Sequence, residues 1–299
     1  MKNKKLIPVL NSFSATLLIF LCLLVLWTTS CQRKPTFRNA KVISECFSET
    51  GDSKAVWEWL EQESEPPLLS NISHSLHGNI YSKHLYEYND QQLTLIHKDA
   101  HYSSPFSTSF SYDNQNRVIT QTITDNDGVL GKATYTYNDR NQIVGAVLQM
   151  DNDYEAKMPR TAPWHKSPHA FANRLKKRGN GSKEGYTIQV EYTYNGGNLV
   201  KEVWDYGDGD RETTIYTYDH SINPFKGLWM LDEQLVLYPE QLSENNVLTV
   251  DYVEDGETDS NQYLYDEGNY PVAIIQSFNP RDTIRWKYKQ IQYKVLDPK

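Results

Sequence analysis

From about residue 80 onward the apolar positions recur in a fixed order. Two aromatic residues stand two apart, an Asn or Asp follows, a later Asn or Gly comes next, and a short apolar run closes the unit. Tyr135-Thr136-Tyr137-Asn138, then Asn141 and Ile143-Val144, shows the whole pattern. It returns at Tyr86/Tyr88-Asn89, Phe110/Tyr112-Asp113, Tyr192/Tyr194-Asn195, Tyr216/Tyr218-Asp219 and Tyr263/Tyr265-Asp266. The second tyrosines step by 24, 25, 57, 24 and 47 residues. The long steps are near multiples of the short one, so the array is expected to hold an insertion and a degenerate copy. A repeat of this length sets an architecture before anything else.

Residues two apart in a strand point to one face, and Tyr, Thr and Val suit a half-buried pleated surface. The Asn or Asp after the second tyrosine opens a turn by bonding its own backbone. The later Asn or Gly tolerates positive φ. Runs such as Val118-Ile119, Ile143-Val144 and Leu199-Val200 supply the returning strand, and Asp125–Gly128 and Asp205–Gly209 read as turns into the next copy. The predicted fold class is mainly β: an open antiparallel meander of repeated two-stranded hairpins, forming a curved single-layer sheet. One short N-terminal helix over 52–63, from the spacing of Val56, Trp59 and Leu60, and a helical insertion complete it. Trp286 to Tyr293 alternates strictly and is expected to be the closing strand.

The Y-x-Y-[N/D]-x-x-N units resemble the tyrosine–aspartate (YD, or RHS-type) repeat. The C-terminal third is similar to a domain of unknown function carried by Bacteroidota-type lipoproteins. Asn223-Pro224-Phe225-Lys226-Gly227-Leu228, Leu242-Ser243-Glu244-Asn245-Asn246-Val247 and Tyr263-Leu264-Tyr265-Asp266-Glu267-Gly268-Asn269-Tyr270-Pro271 carry that likeness. It spans roughly residues 80–290 and implies no catalytic residue. Larger YD proteins enclose cargo in closed shells, and this chain has too few copies for that.

Upstream of the array lies a processing signal. Lys2, Lys4 and Lys5 precede an apolar run from Ala15 to Trp27, too short for the ~20 residues of a spanning helix. Thr28-Thr29-Ser30-Cys31 resembles a lipobox, so residues 1–30 are expected to be a lipoprotein signal peptide and Cys31 the lipidated residue. A multiply acylated Cys31 anchors the chain to a membrane. The expected location is the outer membrane of a Gram-negative envelope, with the basic tether after Cys31 favouring the periplasmic face. Residues 31–79 read as tether and N-terminal segment, and 80–299 as the β domain with the insertion at 151–184.

Losing residues 1–30 removes three lysines and no acid, taking the formal charge from −8 to −11. Such a surface disfavours nucleic acid as a partner. Cys46 is then the one unmodified thiol, which excludes an intrachain disulfide. Against that acidic background the insertion concentrates Arg174, Lys176, Lys177 and Arg178, with Trp164 nearby, as the candidate binding residues for an anionic glycan or protein. The histidines of the first copy, His74, His77, His84, His97 and His101, place His84 and His97 on opposite arms of one hairpin. They lack the acid or cysteine spacing of a metal site. Asp205, Asp208 and Asp210 miss the calcium-loop spacing and read as a polar turn. No G-x-S-x-G, H-E-x-x-H, phosphate-cradling loop or C-x-x-C occurs, so no enzyme activity and no cofactor is expected.

The favoured reading is a lipid-anchored, non-enzymatic binding or scaffold module using the aromatic sheet face or the basic insertion. The alternatives are an envelope hydrolase on the same scaffold and a periplasmic carrier of an apolar ligand. An exposed tyrosine face, a cleft of convergent carboxylates or histidines, or a closed apolar cavity would separate the three.

Overall fold

The computed structural model describes residues 40–48, 53–60, 68–100, 105–151, 185–207, 209–227, 235, 237–278 and 285–296. Its strands are β1 (Ala40–Ser48), β2 (Ser53–Leu60), β3 (Leu68–Leu76), β4 (Asn79–Asn89), β5 (Gln92–Ala100), β6 (Phe106–Tyr112), β7 (Val118–Asp125) and β8 (Gly128–Tyr137). There follow β9 (Ile143–Met150), β10 (Tyr186–Asn195), β11 (Asn198–Asp205), β12 (Arg211–Tyr218), β13 (Val247–Tyr252), β14 (Glu257–Tyr265), β15 (Pro271–Phe278) and β16 (Arg285–Leu296). Every pair is antiparallel and joins sequence neighbours, so β1–β15 form the expected open single-layer meander. The last strand, β16, then pairs with β15 on one side and β1 on the other, and the strand order runs round as a barrel. Its lysines, expected to blunt a free edge, therefore lie on a strand paired along both sides.

The turn chemistry repeats from copy to copy. The Oδ1 of Asp113 accepts from the backbone N–H groups of Gln115 and Arg117, at 2.8 and 2.9 Å. Asn138 does the same for Arg140 and Gln142, and Asp266 for Gly268 and Tyr270. Asn116, Asn141 and Asn269 occupy the left-handed region at φ 61°, 59° and 61°, where a short amide side chain is tolerated. Neighbouring turns are also tied together: Gln92 Nε2 donates to Asn116 Oδ1 at 2.9 Å, and Gln142 Nε2 to the Gly196 carbonyl at 2.7 Å.

A β-bulge sits immediately before the second tyrosine of every copy, at Glu87/Tyr88, Ser111/Tyr112, Thr136/Tyr137, Thr193/Tyr194, Thr217/Tyr218 and Leu264/Tyr265. A bulge disrupts the backbone ladder locally. The tyrosine hydroxyl of the next copy reaches that position. Tyr112 donates to the Leu93 carbonyl at 2.7 Å, and Leu93 is the residue facing Tyr88 across the earlier bulge. Tyr137 likewise donates to Val118, opposite Tyr112, at 2.7 Å, and Tyr218 donates to Leu199, opposite Tyr194. The copies of Tyr112, Tyr137 and Tyr218 thus complete the ones before them, whereas the Tyr265 hydroxyl donates to the Asp219 carboxylate.

The segment expected as an N-terminal helix is instead β2, and the reason is the same motif in other residues. Trp57 and Trp59 stand two apart, a bulge lies between Glu58 and Trp59, and Trp59 faces Leu69. The indole N–H of Trp59 donates to the Ile43 carbonyl at 2.7 Å, and Tyr88 donates to Leu69 at 3.0 Å. Burial follows a period of two here, with Ala55 and Trp57 inward and Glu58 outward, so packing in the sheet overrides the helical spacing. The sheet therefore starts well upstream of residue 80. Among the described residues the 47-residue step holds no degenerate copy: a short helix, Pro239–Leu242, within the connection over 219–246, then β13 and β14, lie between Tyr218 and Tyr265. The predicted helical insertion falls at 152–184, outside the described residues.

The first aromatic of each copy points into the core. Tyr135, Tyr192 and Tyr216 are buried in one cluster with Ile123, Leu148, Ile188 and Leu199, and Tyr86 in a second with Leu69, Ile72, Leu93 and Ile96. The hydroxyl of Tyr135 is met by Gln121 Oε1 at 2.8 Å. Outward positions on β8–β10 are mostly polar, with Lys132, Thr134, Thr136, Gln149, Thr187, Gln189, Glu191 and Thr193 exposed, and Val129 and Val147 exposed among them.

Replacing Tyr137 by Phe is expected to cost about 1–2 kcal/mol, the cost of leaving a buried carbonyl unmet. Tyr137→Ala should cost about 3 kcal/mol, as large aromatics do when removed. Urea denaturation of both variants measures this, and losses below about 0.5 kcal/mol would mean the hydroxyl bond does not support the fold.

Candidate functional site

Most polar groups turned inward are consumed by the fold. The connection over 219–246 is the clearest case, since it gathers the residues that carry the lipoprotein-domain likeness. Asn223 Nδ2 donates to the carbonyls of Glu240 and Ser243, at 2.6 and 2.8 Å. Asn246 Nδ2 reaches Asp219 Oδ2 and the Ile222 carbonyl, both at 3.1 Å, and the Tyr265 hydroxyl donates to the same Asp219 carboxylate. Ser243 Oγ accepts from the Leu199 N–H at 3.1 Å and donates to the Tyr218 hydroxyl at 2.9 Å. Leu235 and Leu237 from the same connection join the core cluster. These polar residues thus tie the described part of the connection onto the tyrosine-turn end of the sheet.

On β11, Glu202 lies between Tyr192 of β10 and Thr214 of β12 and is buried. Tyr216 hydrogen-bonds to it, which, with burial as the larger cause, holds the Tyr216 hydroxyl well above its ordinary pKa. A single carboxylate among tyrosine hydroxyls is a packed polar core and provides no acid–base pair.

The corner formed by β2–β6 is different in kind. One inward row runs Trp57, Ile72, His84, Lys98, Phe106 across five strands, and the next runs Ala55, His74, Ser82. The two imidazoles stand 5.1 Å apart between centroids. His84 Nε2 and Ser82 Oγ are within 3.1 Å. The Lys98 ammonium lies 5.0 Å from the Phe106 ring centroid, on a residue only 3% exposed. Burial is the largest cause lowering both histidines from 6.5 to about 3; for His74 the neighbouring His84 and then the Lys98 charge add to it, and for His84 the Lys98 charge does. Both rings are therefore neutral at any physiological pH.

The sequence expectation paired His84 with His97, and the structure corrects it. The bulge at Glu87/Tyr88 shifts the β4–β5 register by one residue, so His84 faces Lys98 and His97 faces Leu85. His97 is turned outward, 3.2 Å from Glu87 and 2.9 Å from Ser107 Oγ. Without the bulge in mind, the partner His74 on β3 carries no sequence signal. Among the described residues no three His, Cys, Asp or Glu side chains converge as metal ligands. Asp205 is bound to Arg211 at 2.7 Å and to the Gly207 N–H at 2.9 Å, which makes that loop a tied turn. Cys46 is buried. Cys31, Trp164, Arg174, Lys176, Lys177 and Arg178 lie outside the described residues.

No known protein family matches the chain, and no curated protein sequence does. Among solved structures it is similar to a porin-like protein from Bacteroides uniformis, with a TM-score of 0.51 and 12% identity over 88% of this chain and 98% of that one. That likeness is one of fold. A TcdB2–TccC3–Cdc42 assembly gives 0.34 at 14% identity, covering 84% of this chain and 14% of that one. The Photorhabdus luminescens Tc holotoxin pore gives 0.23 at 11% identity, with 81% and 16% covered.

The histidine pair makes stability depend on pH with a defined sign. The unfolded chain takes up protons at these two side chains below about 6.5, whereas the folded chain does so only near 3. Their contribution is complete above pH 6.5 and is lost as pH falls. Each should remove about 1.4 kcal/mol per pH unit in that window. Denaturation midpoints between pH 6.5 and 5, before carboxylates protonate, should fall in the native chain and fall less in a His74→Phe variant; equal slopes would mean His74 titrates normally in the fold.

Proposed function

We propose that this chain is a lipid-anchored cell-envelope module that binds or scaffolds glycan or protein partners and performs no chemistry of its own. Support comes from the two faces of the sheet. The inward face is packed with the array's tyrosines, while the outward face of β8–β10 presents mainly threonine, lysine, glutamine and glutamate to water, with Val129 and Val147 as its exposed apolar residues. A barrel that spans a bilayer shows the reverse, an apolar outer band about 25 Å tall around a polar interior. A porin-like strand order with a water-facing exterior fits a body held beside the membrane by a lipid on Cys31.

The same observation moves the binding surface. The aromatic face is not available as a ligand platform, since its tyrosines are buried or bonded to backbone carbonyls. Partners are then met by the polar exterior and by the basic insertion with Trp164, Arg174, Lys176, Lys177 and Arg178. The strand ends that flank that insertion, Met150 of β9 and Tyr186 of β10, are paired at the end of the sheet opposite the tyrosine turns. Loops on a rigid sheet are where recognition concentrates. The periplasmic face of the outer membrane is the favoured location.

Two experiments test this. In cells fed labelled palmitate, the native chain should be labelled and membrane-bound, and Cys31→Ala unlabelled and soluble; unchanged fractionation of that variant removes the anchor. Deleting 155–182 should leave thermal melting unaltered and abolish salt-sensitive capture of anionic glycans on an array, because exposed charges are screened within about 10 Å at 0.1 M salt. Equal capture by intact and deleted chains would make the loop a spacer.

A further inference from the structure

We propose that β1 and β16 are the two arms of one further copy, split between the first and last described strands, and that this copy is the clasp at which the ring of hairpins opens. In the other copies the residue facing the second aromatic is followed by one that the partner strand skips. Tyr88 faces Leu93 and Glu87 faces Leu95, passing over Thr94; Tyr112 faces Val118 and Ser111 faces Thr120, passing over Ile119. Trp59, Tyr137, Tyr194, Tyr218 and Tyr265 keep the same geometry. Between β16 and β1, Tyr293 faces Ile43 and Gln292 faces Glu45, passing over Ser44. The bulge thus falls at the same place and on the same arm.

Burial on β1 carries the same signature. In 93–96, 118–121 and 143–146 the first and fourth residues are buried and the middle two half-buried, and Ile43, Ser44, Glu45 and Cys46 repeat that order. Cys46 therefore stands where Ile96, Gln121 and Ala146 stand in other copies. The tie between copies is present too: Trp59 donates its indole N–H to the Ile43 carbonyl, as Tyr112 donates its hydroxyl to Leu93. What differs is the connection. β4 passes directly into β5, and every other first arm is likewise followed in the chain by its returning arm, whereas β16 meets β1 by strand pairing alone. β1 in turn pairs with β16 from Ala40 to Ser48 but with β2 only at Glu45, Cys46 and Phe47. Closing so long a loop costs more chain entropy than closing a hairpin. Local openings differ in cost, and the cheapest is populated most. The strand to leave is then β16, which bares the facing edges of β15 and β1 as a place of fixed register for an extended strand.

Paired cysteines in the full chain test the split copy and its register. Val42 faces Lys294, and continuing the Cys46–Ile291 register without the bulge would set it opposite Val295 instead. Oxidation of Val42→Cys/Lys294→Cys should give a bridge within one chain, and Val42→Cys/Val295→Cys should give none. A slip of one residue turns the side chain to the other face of the sheet, out of reach of a disulfide. No bridge in the first variant, a bridge in the second, or linked dimers in place of a bridged monomer would overturn the split copy. Hydrogen exchange of the native chain, which needs no variant to fold, tests the clasp. Amides of β1 and β16 should exchange together and ahead of those of β8–β10, and the bridge of the first variant should abolish that early exchange and leave β8–β10 unchanged. Exchange of β1 and β16 no earlier than that of β8–β10, or unaltered by the bridge, would mean that the ring opens elsewhere.

Discussion

The structure depends on one bond made repeatedly: a tyrosine hydroxyl donated to a backbone carbonyl at the bulge of the preceding copy. A single-layer sheet has no second layer to bury its hydrophobic face, and a bulge opens its ladder at one point in every hairpin. Tyr88, Tyr112, Tyr137 and Tyr218 each answer a carbonyl exactly nineteen residues upstream, at Leu69, Leu93, Val118 and Leu199. Each net bond is worth about 1 kcal/mol, modest alone. Since each joins consecutive copies, together they couple neighbours in the manner of a repeat array. The bulge, the turn Asn and the tyrosine are therefore one device. Removing any of them leaves the other two without purpose.

That device explains which surfaces remain for function. The inward tyrosines serve as core, the second tyrosines as ties between copies, and the 219–246 connection bonds Asn223, Ser243 and Asn246 to its own backbone and to the sheet. What is left over is the polar exterior, the basic insertion, and the β2–β6 corner with its buried His74, His84 and Lys98. The corner lies in the part of the sheet whose copies depart most from the tyrosine pattern. There, Trp57 and Trp59 replace the pair, and His74, His84 and Lys98 take positions that aliphatic residues such as Leu148 and Ile188 hold elsewhere.

Much of the meander was legible because its signals are local. The Y-x-Y pairs, the Asx turns at Asp113, Asn138 and Asp266, and the positive φ at Asn116 and Asn141 each depend on a few adjacent residues. Register was not legible, because a bulge moves the pairing by one without marking the sequence, which is why His84 meets Lys98 instead of His97. The Trp57/Trp59 copy was read as a helix since Val56, Trp59 and Leu60 also satisfy a 3.6-residue period. The aromatic pair two apart was the better signal, with tryptophan standing in for tyrosine. Pairing of β16 with β1 joins residues some 250 apart, and nothing local encodes it.

The array's tyrosines are bonded and shielded inside the sheet. Burial, the largest cause in each case, raises the hydroxyls of Tyr88, Tyr137, Tyr194 and Tyr218 well above the ordinary range and that of Tyr112 to about 12. Ultraviolet titration of tyrosine ionisation, followed alongside far-ultraviolet circular dichroism, tests this directly. The prediction is that only a minority of the 21 tyrosines ionise near pH ~10, the ordinary value, and that the rest ionise in one step together with loss of the β signal. If all of them ionise near pH 10 while the β signal persists, the tyrosines face water and the account is wrong.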